Sequence, residues 1–309
     1  MPDDVGAALD VGSNTIRLLV ARTVDGRLEP VLDDSRFVRL GSGVDASGRL
    51  EPARKDAGIQ AILELAAQAR EAGAADIYGV ATSAIRDAAD GAEYVRRIHD
   101  ETGVEVRIID GDEEARLTFA GATSAMDLSG NALVCDMGGG SCELIYASGS
   151  DIEWARSLQI GSGRLSERFI HHDPPTNEEQ RSVEQAVEST LRVVGNISAS
   201  AAAFTGGTAS HVVYLLGEQG VSVLVTIERL ERVESIVYAS PKAEVARKYN
   251  VRPERAEILP AGFTALRTIA LWSGAGQLSI SRSGIREGLL LEAAGEHATA
   301  ARSQTDRIQ

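Results

Sequence analysis

The residues best suited to chemistry in this 309-residue chain stand in two copies of one short pattern. Residues 9–20 read LDVGSNTIRLLV, and residues 135–146 read CDMGGGSCELIY. Each copy predicts a strand, a tight turn that carries a carboxylate and small residues, and a second strand. The positions that correspond are Asp10 with Asp136, Gly12 with Gly138, Thr15 with Ser141, and Leu18 with Leu144.

The small residues of both turns predict an anion-binding site. Bare backbone lets N–H groups approach an anion, and hydroxyl side chains add donors. The three glycines at 138–140 each cost roughly 0.5–1 kcal/mol on folding relative to alanine, which favours a ligand that requires them. Either turn alone could be an ordinary hairpin, but two facing turns would hold a phosphate chain from both sides. The residues assigned to this contact are Asp10, Gly12, Ser13, Asn14, Thr15, Arg17, Gly138, Gly139, Gly140 and Ser141.

A second polar segment follows a short buried strand predicted over 77–81. Ligands of open α/β sheets bind at the carboxyl ends of strands. There Thr82 and Ser83 offer hydroxyl groups, and Arg86 offers a planar guanidinium suited to phosphate. Taken alone, this segment is better explained by a helix cap and a surface arginine, so it gains weight only beside the two turns.

Three successive carboxylates, Asp112, Glu113 and Glu114, open a helix predicted after Gly111. Acidic residues are common in a first helical turn, where each stabilises the helix by roughly 0.3–1 kcal/mol. Next to a phosphate site they also fit a general base that activates water. The spacing alone does not choose among the three.

Composition limits the classes of function. Hydrophobic residues make up 43% and charged residues 25%, and the length suits two domains with a core each. No apolar run approaches the ~20 residues of a membrane span, the acidic start does not resemble a signal peptide, and the two cysteines are interpreted as free thiols. We therefore expect a cytoplasmic protein without membrane contact. The net charge of −14 argues against nucleic-acid binding, and a polyanionic substrate would need local arginines or a metal.

Strands alternate with helices along the chain, which predicts an α/β fold. Strands are expected over 6–21, 28–40, 77–81, 104–109, 132–135, 143–147 and 152–158, with a turn at Asp25–Gly26. Helices are expected over 52–72, 88–102, 111–121, 162–171, 176–198, 226–238, 241–249, 253–273 and 285–296. The pattern restarts near residue 125, which indicates two related domains over 1–121 and 122–298. The helix 285–297 is a candidate for completing the first domain, and 299–309 is expected to be a flexible tail.

Together, the motifs resemble the exopolyphosphatase/guanosine pentaphosphatase (Ppx/GppA) family over about residues 5–295. The two turns match its phosphate motifs, with Thr15 where serine is usual and Cys142 where threonine is usual. The segments that match its further motifs are 81–86, the glutamate motif at 109–117, a third glycine turn at 206–208, and 283–288.

The resemblance implies a fold and an activity. The fold is α/β, with two related ribonuclease-H-like domains of the actin, Hsp70 and sugar-kinase (ASKHA) superfamily and the active site in the cleft between them. The activity is metal-dependent hydrolysis of the terminal phosphoanhydride of inorganic polyphosphate, which releases orthophosphate. Short chains are the expected substrates, because the chain resembles the short two-domain branch without the basic channel of longer relatives.

The resemblance also implies roles for particular residues. Glu114 corresponds to the catalytic glutamate, and Arg86 would offset charge on the transferred phosphoryl group. Mg²⁺ or Mn²⁺ is placed on Asp136 and Glu143, because the second copy has Glu143 where the first has Arg17. Further substrate contacts are expected from Thr82, Ser83, Gly207 and Thr208.

Two other activities stay open at this stage. Guanosine pentaphosphate could be the substrate in place of polyphosphate, because the family includes both activities and the motifs do not separate them. More distantly, the superfamily contains ATP-binding kinases and ATPases, and the third glycine turn could contribute to an adenosine pocket. A homodimer is an expectation from the family that no sequence feature establishes.

Overall fold

The computed structural model describes residues 4–24, 26–124 and 130–305, and it contains two mixed β-sheets. The first has five strands in the order β3-β2-β1-β4-β5. These strands are β1 (Asp4–Val11), β2 (Thr15–Val24), β3 (Arg27–Phe37), β4 (Asp76–Ala81) and β5 (Val106–Ile108). Strand β2 runs antiparallel to both β1 and β3, whereas β1, β4 and β5 run parallel to one another.

The second sheet repeats this topology. Its strands are β6 (Asn131–Met137), β7 (Cys142–Ser148), β8 (Asp151–Leu158), β9 (Ala201–Thr205), β10 (Ser222–Val225) and β11 (Gln277–Ser281). Its strand order is β8-β7-β6-β9-β11-β10. The first five strands of this order correspond one by one to β3-β2-β1-β4-β5, and β10 is an additional strand at the edge. The repeated sequence pattern therefore marks a repeated domain, as predicted. The turn residue Asp25 and the restart near residue 125 lie outside the described residues.

Helices cover both sheets, and most lie where periodicity predicts them. They are α1 (Val44–Ser47), α2 (Pro52–Glu71), α3 (Ser83–Asp87), α4 (Gly91–Thr102), α5 (Gly111–Ser124), α6 (Ser162–Phe169), α7 (Asn177–Val194), α8 (Gly206–Leu216), α9 (Ile227–Ala239), α10 (Lys242–Lys248), α11 (Pro253–Ser273) and α12 (Ile285–Thr305). Among the described residues, none of these helices is both long and apolar enough to span a bilayer.

Helix α5 lies between the two sheets. Leu117 on one side of α5 packs with Leu289 of α12 and Ala8 of β1. Phe119 on another side packs with Val134 of β6. Because alternate strand residues face opposite sides of a sheet, the even-numbered positions of β1 and β6 face α5. The carboxylates of both repeats therefore point toward the helix that carries the acidic triplet.

Three short strands differ from the prediction. No strand was expected over 201–205, 222–225 or 277–281, where β9, β10 and β11 lie. Strand β9 (AAAFT) is built mostly from alanines that carry a weak strand signal, and β11 (QLSIS) is a short segment with two apolar residues; both are paired with neighbouring strands.

The C-terminal helix is longer than predicted. Helix α12 continues to Thr305, so residues 299–305, expected to be part of a flexible tail, are helical. Alanines at positions 298, 300 and 301 favour this extension. Residues 306–309 lie outside the described chain.

A carboxylate caps α7 and supports a prediction about stability. The Thr176 side chain accepts from the Glu179 N–H, and Glu179 accepts from the N–H groups of Thr176 at 2.8 Å and His171 at 2.6 Å. Burial opposes the charge of Glu179, but these bonds and the His172 ring outweigh it and lower its pKa from 4.5 to about 2. The charged carboxylate therefore stabilises the fold above about pH 4.5, and this contribution is lost as the pH falls through about 2.

We expect Glu179→Gln to reduce the free energy of unfolding by about 1–3 kcal/mol at pH 7, because a charged acceptor is replaced by a neutral one. Denaturant titrations at pH 7 and pH 3 measure the difference, which should be smaller at pH 3. Glu178→Gln, on the exposed neighbour, is the control. An equal loss at both pH values would contradict this assignment.

Candidate active site

The two repeated turns have the same local structure. In the first loop (residues 12–15), the Gly12 N–H donates to the Thr15 carbonyl at 3.2 Å. In the second loop (residues 138–141), the Gly138 N–H donates to the Ser141 carbonyl at 3.1 Å. Each loop is thus closed by the same bond, and the leading N–H of each is not available to a ligand.

The hairpins differ in the charges that they present. Asp10 on β1 lies directly opposite Arg17 on β2, whereas Asp136 on β6 lies directly opposite Glu143 on β7. Directly opposed residues share one face of a sheet. The first hairpin therefore presents a carboxylate and a guanidinium, and the second presents two carboxylates.

The second loop is held from behind by the beginning of α6. The carbonyls of Gly138, Gly139 and Gly140 accept hydrogen bonds from Ser162 N–H at 3.0 Å, Gly163 N–H at 2.9 Å and Arg164 Nε at 2.8 Å, respectively. In a trans peptide, a carbonyl and the N–H that follows it point in opposite directions. The N–H groups of residues 139–141 therefore point away from α6.

The first loop is supported in the same way. The Ser13 carbonyl accepts from the Gly41 N–H at 2.8 Å, and the Asn14 carbonyl accepts from the Val38 and Arg39 N–H groups, both at 2.9 Å. The N–H groups of residues 14 and 15 accordingly point away from the segment that follows β3.

The loops touch each other across the domains. A Cβ atom added to Gly139 would lie 2.5 Å from Asn14 Nδ2, and one added to Gly140 would lie 2.5 Å from Ser83 Oγ and 2.6 Å from Ser13 Oγ. The sequence suggested that a ligand requires these glycines. The structure adds a second requirement, because the first domain packs directly on their bare backbone.

A cleft runs between the domains. The residues predicted for the site that line it are Asp10, Gly12, Ser13, Asn14, Thr15, Arg17, Thr82, Glu114, Asp136, Gly138, Gly139, Gly140, Ser141, Glu143 and Gly207. Three predicted residues lie behind its wall. Ser83 packs against Gly140, Thr208 packs against Gly262, and Arg86 reaches the cleft through Glu114.

Of the acidic triplet, Glu114 alone lines the cleft. Asp112 is exposed, and Glu113 pairs with Arg107 on the outer surface. Arg86 Nη1 donates to Glu114 Oε2 at 2.7 Å and to the Ile109 carbonyl at 3.1 Å. The sequence assigned Arg86 to the transferred phosphoryl group; in the structure, its guanidinium is held by Glu114 and by the Ile109 carbonyl.

Among the described residues, five carboxylates line the cleft in surroundings that disfavour their charge, those of Asp10, Glu114, Asp136, Glu143 and Glu287. Burial raises the pKa of Glu143 to about 7, and the charge of Asp136 adds to the effect. Burial and the charge of Glu143 raise the pKa of Glu114 well above its usual range, against the opposing effect of Arg86. Burial likewise raises the pKa of Asp10 to about 6 and that of Asp136 above its usual value. Such a cluster is suited to binding a cation and to accepting a proton.

The site fits a magnesium ion. Over the described ranges, no three Asp, Glu, His or Cys side chains are placed to hold a metal ion by themselves. Mg²⁺ needs no such cage, because it keeps several waters and binds one or two carboxylates together with substrate phosphates. Asp136 and Glu143 share one face of the hairpin, and the buried Asp10 Oδ1 has no hydrogen-bond partner in the described chain. These oxygens could accept the ion and its water.

Two buried arginines of the site were not among the residues predicted from the sequence. Arg255 Nη2 donates to Thr15 Oγ1 at 2.8 Å, and burial together with the charge of Arg17 lowers its pKa to about 9. Arg286 donates to the Leu18 carbonyl at 3.0 Å and to Asp33 at 2.6 Å. Arg286 lies within the matched segment 283–288 and could have been selected from it. Arg255 has no local signal, because it stands 240 residues from Thr15.

A second pocket continues from the cleft past Thr15 and Arg255. Its walls include the aromatic side chains of Phe37, His211 and Tyr214. The cleft therefore leads from a carboxylate-lined end, through arginines, to an aromatic pocket.

Known structures share this fold. The structure is similar to the Aquifex aeolicus member of the Ppx/GppA protein family, with a TM-score of 0.80 and 27% identity over 96% of this chain and 99% of that one. It also matches an exopolyphosphatase from Cytophaga hutchinsonii, with a TM-score of 0.85 and 22% identity over 94% of this chain and 98% of that one, a likeness of fold alone. The predicted pair of actin-like α/β domains is confirmed.

The sequence comparisons agree with the fold. Exopolyphosphatase 1 of Mycobacterium tuberculosis is 38% identical over 169 residues, which cover 54% of this chain and 49% of that protein. The chain thus spans about half the length of the curated relatives that it matches. The Ppx/GppA phosphatase family, defined by its sequence model, matches residues 19–297. With nearly the whole chain matched and the repeated loops in place, the protein belongs to the Ppx/GppA phosphatase family.

Proposed function

We propose that this protein is an exopolyphosphatase that hydrolyses the terminal phosphoanhydride of short inorganic polyphosphates and releases orthophosphate. The observation that carries the proposal is the position of Glu114, which lies buried in the same cleft as the two glycine loops. A proton acceptor beside an anion site is the arrangement that attack by water on phosphate requires.

Binding would use groups that both domains contribute. The N–H groups of residues 139–141 and the hydroxyl of Ser13 offer donors to the terminal phosphate. Arg17, opposite Asp10, and Arg255, beside Thr15, would neutralise the rest of the chain. These local cations compensate for the overall net charge of −14.

Asp136 and Glu143 would hold Mg²⁺ or Mn²⁺, which supplies positive charge to the phosphoryl oxygens when it is bound. The transition state of phosphoryl transfer is loose, so alignment and charge neutralisation contribute most. Glu114 would orient the attacking water and take its proton on a carboxylate oxygen. The Arg86 hydrogen bond at 2.7 Å would fix the direction of that oxygen.

A second candidate substrate is guanosine pentaphosphate. The observation that favours it is the aromatic pocket beyond Arg255, where Phe37 and Tyr214 could contact a base. A polyphosphate chain would gain little from these rings. A substitution in this pocket therefore distinguishes the two candidate substrates experimentally.

We expect phosphate release in Mg²⁺ to be fastest with inorganic triphosphate, slower with long polyphosphate and guanosine pentaphosphate, and abolished by EDTA.

Tyr214→Ala should raise KM for guanosine pentaphosphate about fivefold or more, because base stacking is lost, and leave KM for triphosphate unchanged. Leu224→Ala, on an exposed residue outside the pocket, is the control. Faster hydrolysis of guanosine pentaphosphate would select the second candidate, and preferential ATP hydrolysis would contradict both.

A further inference from the structure

Arg164, near the beginning of α6, connects the second loop to two separate elements of the first domain. Its Nε donates to the Gly140 carbonyl at 2.8 Å. Its Nη1 pairs with Asp45 of α1, and its Nη2 donates to Asp87 of α3 at 3.2 Å. All three nitrogens of one guanidinium are therefore used, and its side chain is only 12% exposed.

The two carboxylates that Arg164 holds are not equivalent. Asp45 is also bound by Arg168 of the same helix, at 2.9 Å. Asp87 ends the short helix α3 and follows Arg86 directly, and Arg86 is the residue that pairs with Glu114. A continuous line of contacts thus runs from the second loop, through Arg164, to the helix that carries the partner of Glu114.

We propose that Arg164 is a positioning residue that couples closure of the two domains to the arrangement of the second loop and of Arg86. Only when the domains are closed can one guanidinium reach Gly140, Asp45 and Asp87 together. Closure would then fix the direction of the Gly140 carbonyl, and with it the Ser141 N–H on the opposite side of the peptide. This proposal rests on the proposed phosphohydrolase function for its kinetic consequence but not for its structural one.

The planar fork of arginine matters to this role. A lysine at this position would carry the charge on a single nitrogen and could not span a loop carbonyl and two carboxylates. We therefore expect Arg164→Lys to keep the domains closed through Asp45 and to leave the Gly140 carbonyl with only the longer bond from the Gly161 N–H, at 3.4 Å. Arg164→Gln would lose both connections.

The kinetic test compares Arg164→Gln, Arg164→Lys and Arg168→Gln with inorganic triphosphate as substrate. Arg164→Gln should lower kcat by at least about tenfold and raise KM, because a shift of the loop misaligns the reacting groups. Arg164→Lys should restore KM but not kcat. Arg168→Gln keeps every contact of Arg164 and should behave like the wild type. Wild-type kcat and KM in Arg164→Gln would overturn the proposal.

A distance measurement tests the coupling without relying on activity. Spin labels on Gln60→Cys in α2 and Val193→Cys in α7 report the separation of the domains, and the native Cys135 and Cys142 are buried. Arg164→Gln should broaden and lengthen the distance distribution, while Arg168→Gln should not. Unchanged distributions in Arg164→Gln would overturn the proposal, even if the wild type hydrolyses no phosphate and the proposed function fails.

Asp87→Asn provides a milder variant in case Arg164→Gln does not fold. It removes the ion pair between Arg164 Nη2 and the Asp87 carboxylate, which is 31% exposed, and leaves the contact of Arg164 with Gly140 in place. A smaller loss of kcat, with a partly broadened distance distribution, is the expected result. No change in Asp87→Asn and Arg164→Lys alike would overturn the proposal.

Discussion

Glu114→Gln is expected to lower kcat for phosphate release by about 10²–10⁴-fold, the usual contribution of a general base. The amide has the size of the carboxylate and can still accept from Arg86, but it cannot take a proton from water. Removing a charge beside Glu143 also lessens repulsion of an anion. Affinity for inorganic triphosphate, measured by calorimetry, should therefore be kept or increased.

Glu113→Gln is the matched control for this experiment. Glu113 stands one residue earlier in the same helical turn but pairs with Arg107 outside the cleft. Its variant should keep wild-type turnover. Near-normal kcat in Glu114→Gln, or an equal loss in both variants, would remove Glu114 from the role of base.

Gly140→Ala is expected to reduce kcat/KM by about 10²-fold, the effect of displacing reacting groups by about 1 Å. The added methyl group would lie 2.5 Å from Ser83 Oγ and 2.6 Å from Ser13 Oγ, so the two loops must move apart. Gly140 is not among the described glycines with a positive φ, so its own backbone tolerates alanine. Kinetics with inorganic triphosphate measure the loss.

Gly295→Ala serves as the control for the added methyl group. A Cβ atom at Gly295 of α12 meets no atom of the described residues within 4 Å, and alanine favours a helix more than glycine does. This variant should keep full activity. Wild-type activity in Gly140→Ala would show that the contact between the loops is not needed for turnover.

The parts of the site that the sequence predicted are those encoded within a few residues of chain. The two loops are local hairpins, so their carboxylates and small residues can be found from spacing alone, and the cap at Thr176 is equally local. Glu114 needed the family resemblance, because Asp112 and Glu113 have the same local pattern. The structure separates them, since only the helical position of Glu114 faces the sheets.

The parts that were missed depend on tertiary packing. Arg255 meets Thr15 only because α11 crosses to the first domain, and Ser157 donates to Glu143 at 2.7 Å from the neighbouring strand. Strand β9 lacks a strand signal because three of its five residues are alanines, and it pairs with β6 and β11 in the folded sheet. The contact of the first domain with the bare backbone of Gly139 and Gly140 likewise depends on the packing of the two domains, so the sequence alone does not predict it.

The unlike charges opposite Asp10 and Asp136 have a consequence for the direction in which a substrate is used. The two ends of a linear polyphosphate are chemically identical, so the substrate itself does not determine which end enters the cleft first. Because one hairpin carries an arginine where the other carries a glutamate, the two sides of the cleft differ in charge. On the proposed function, this difference between the two repeated hairpins would decide which end of the cleft receives the phosphate that reacts.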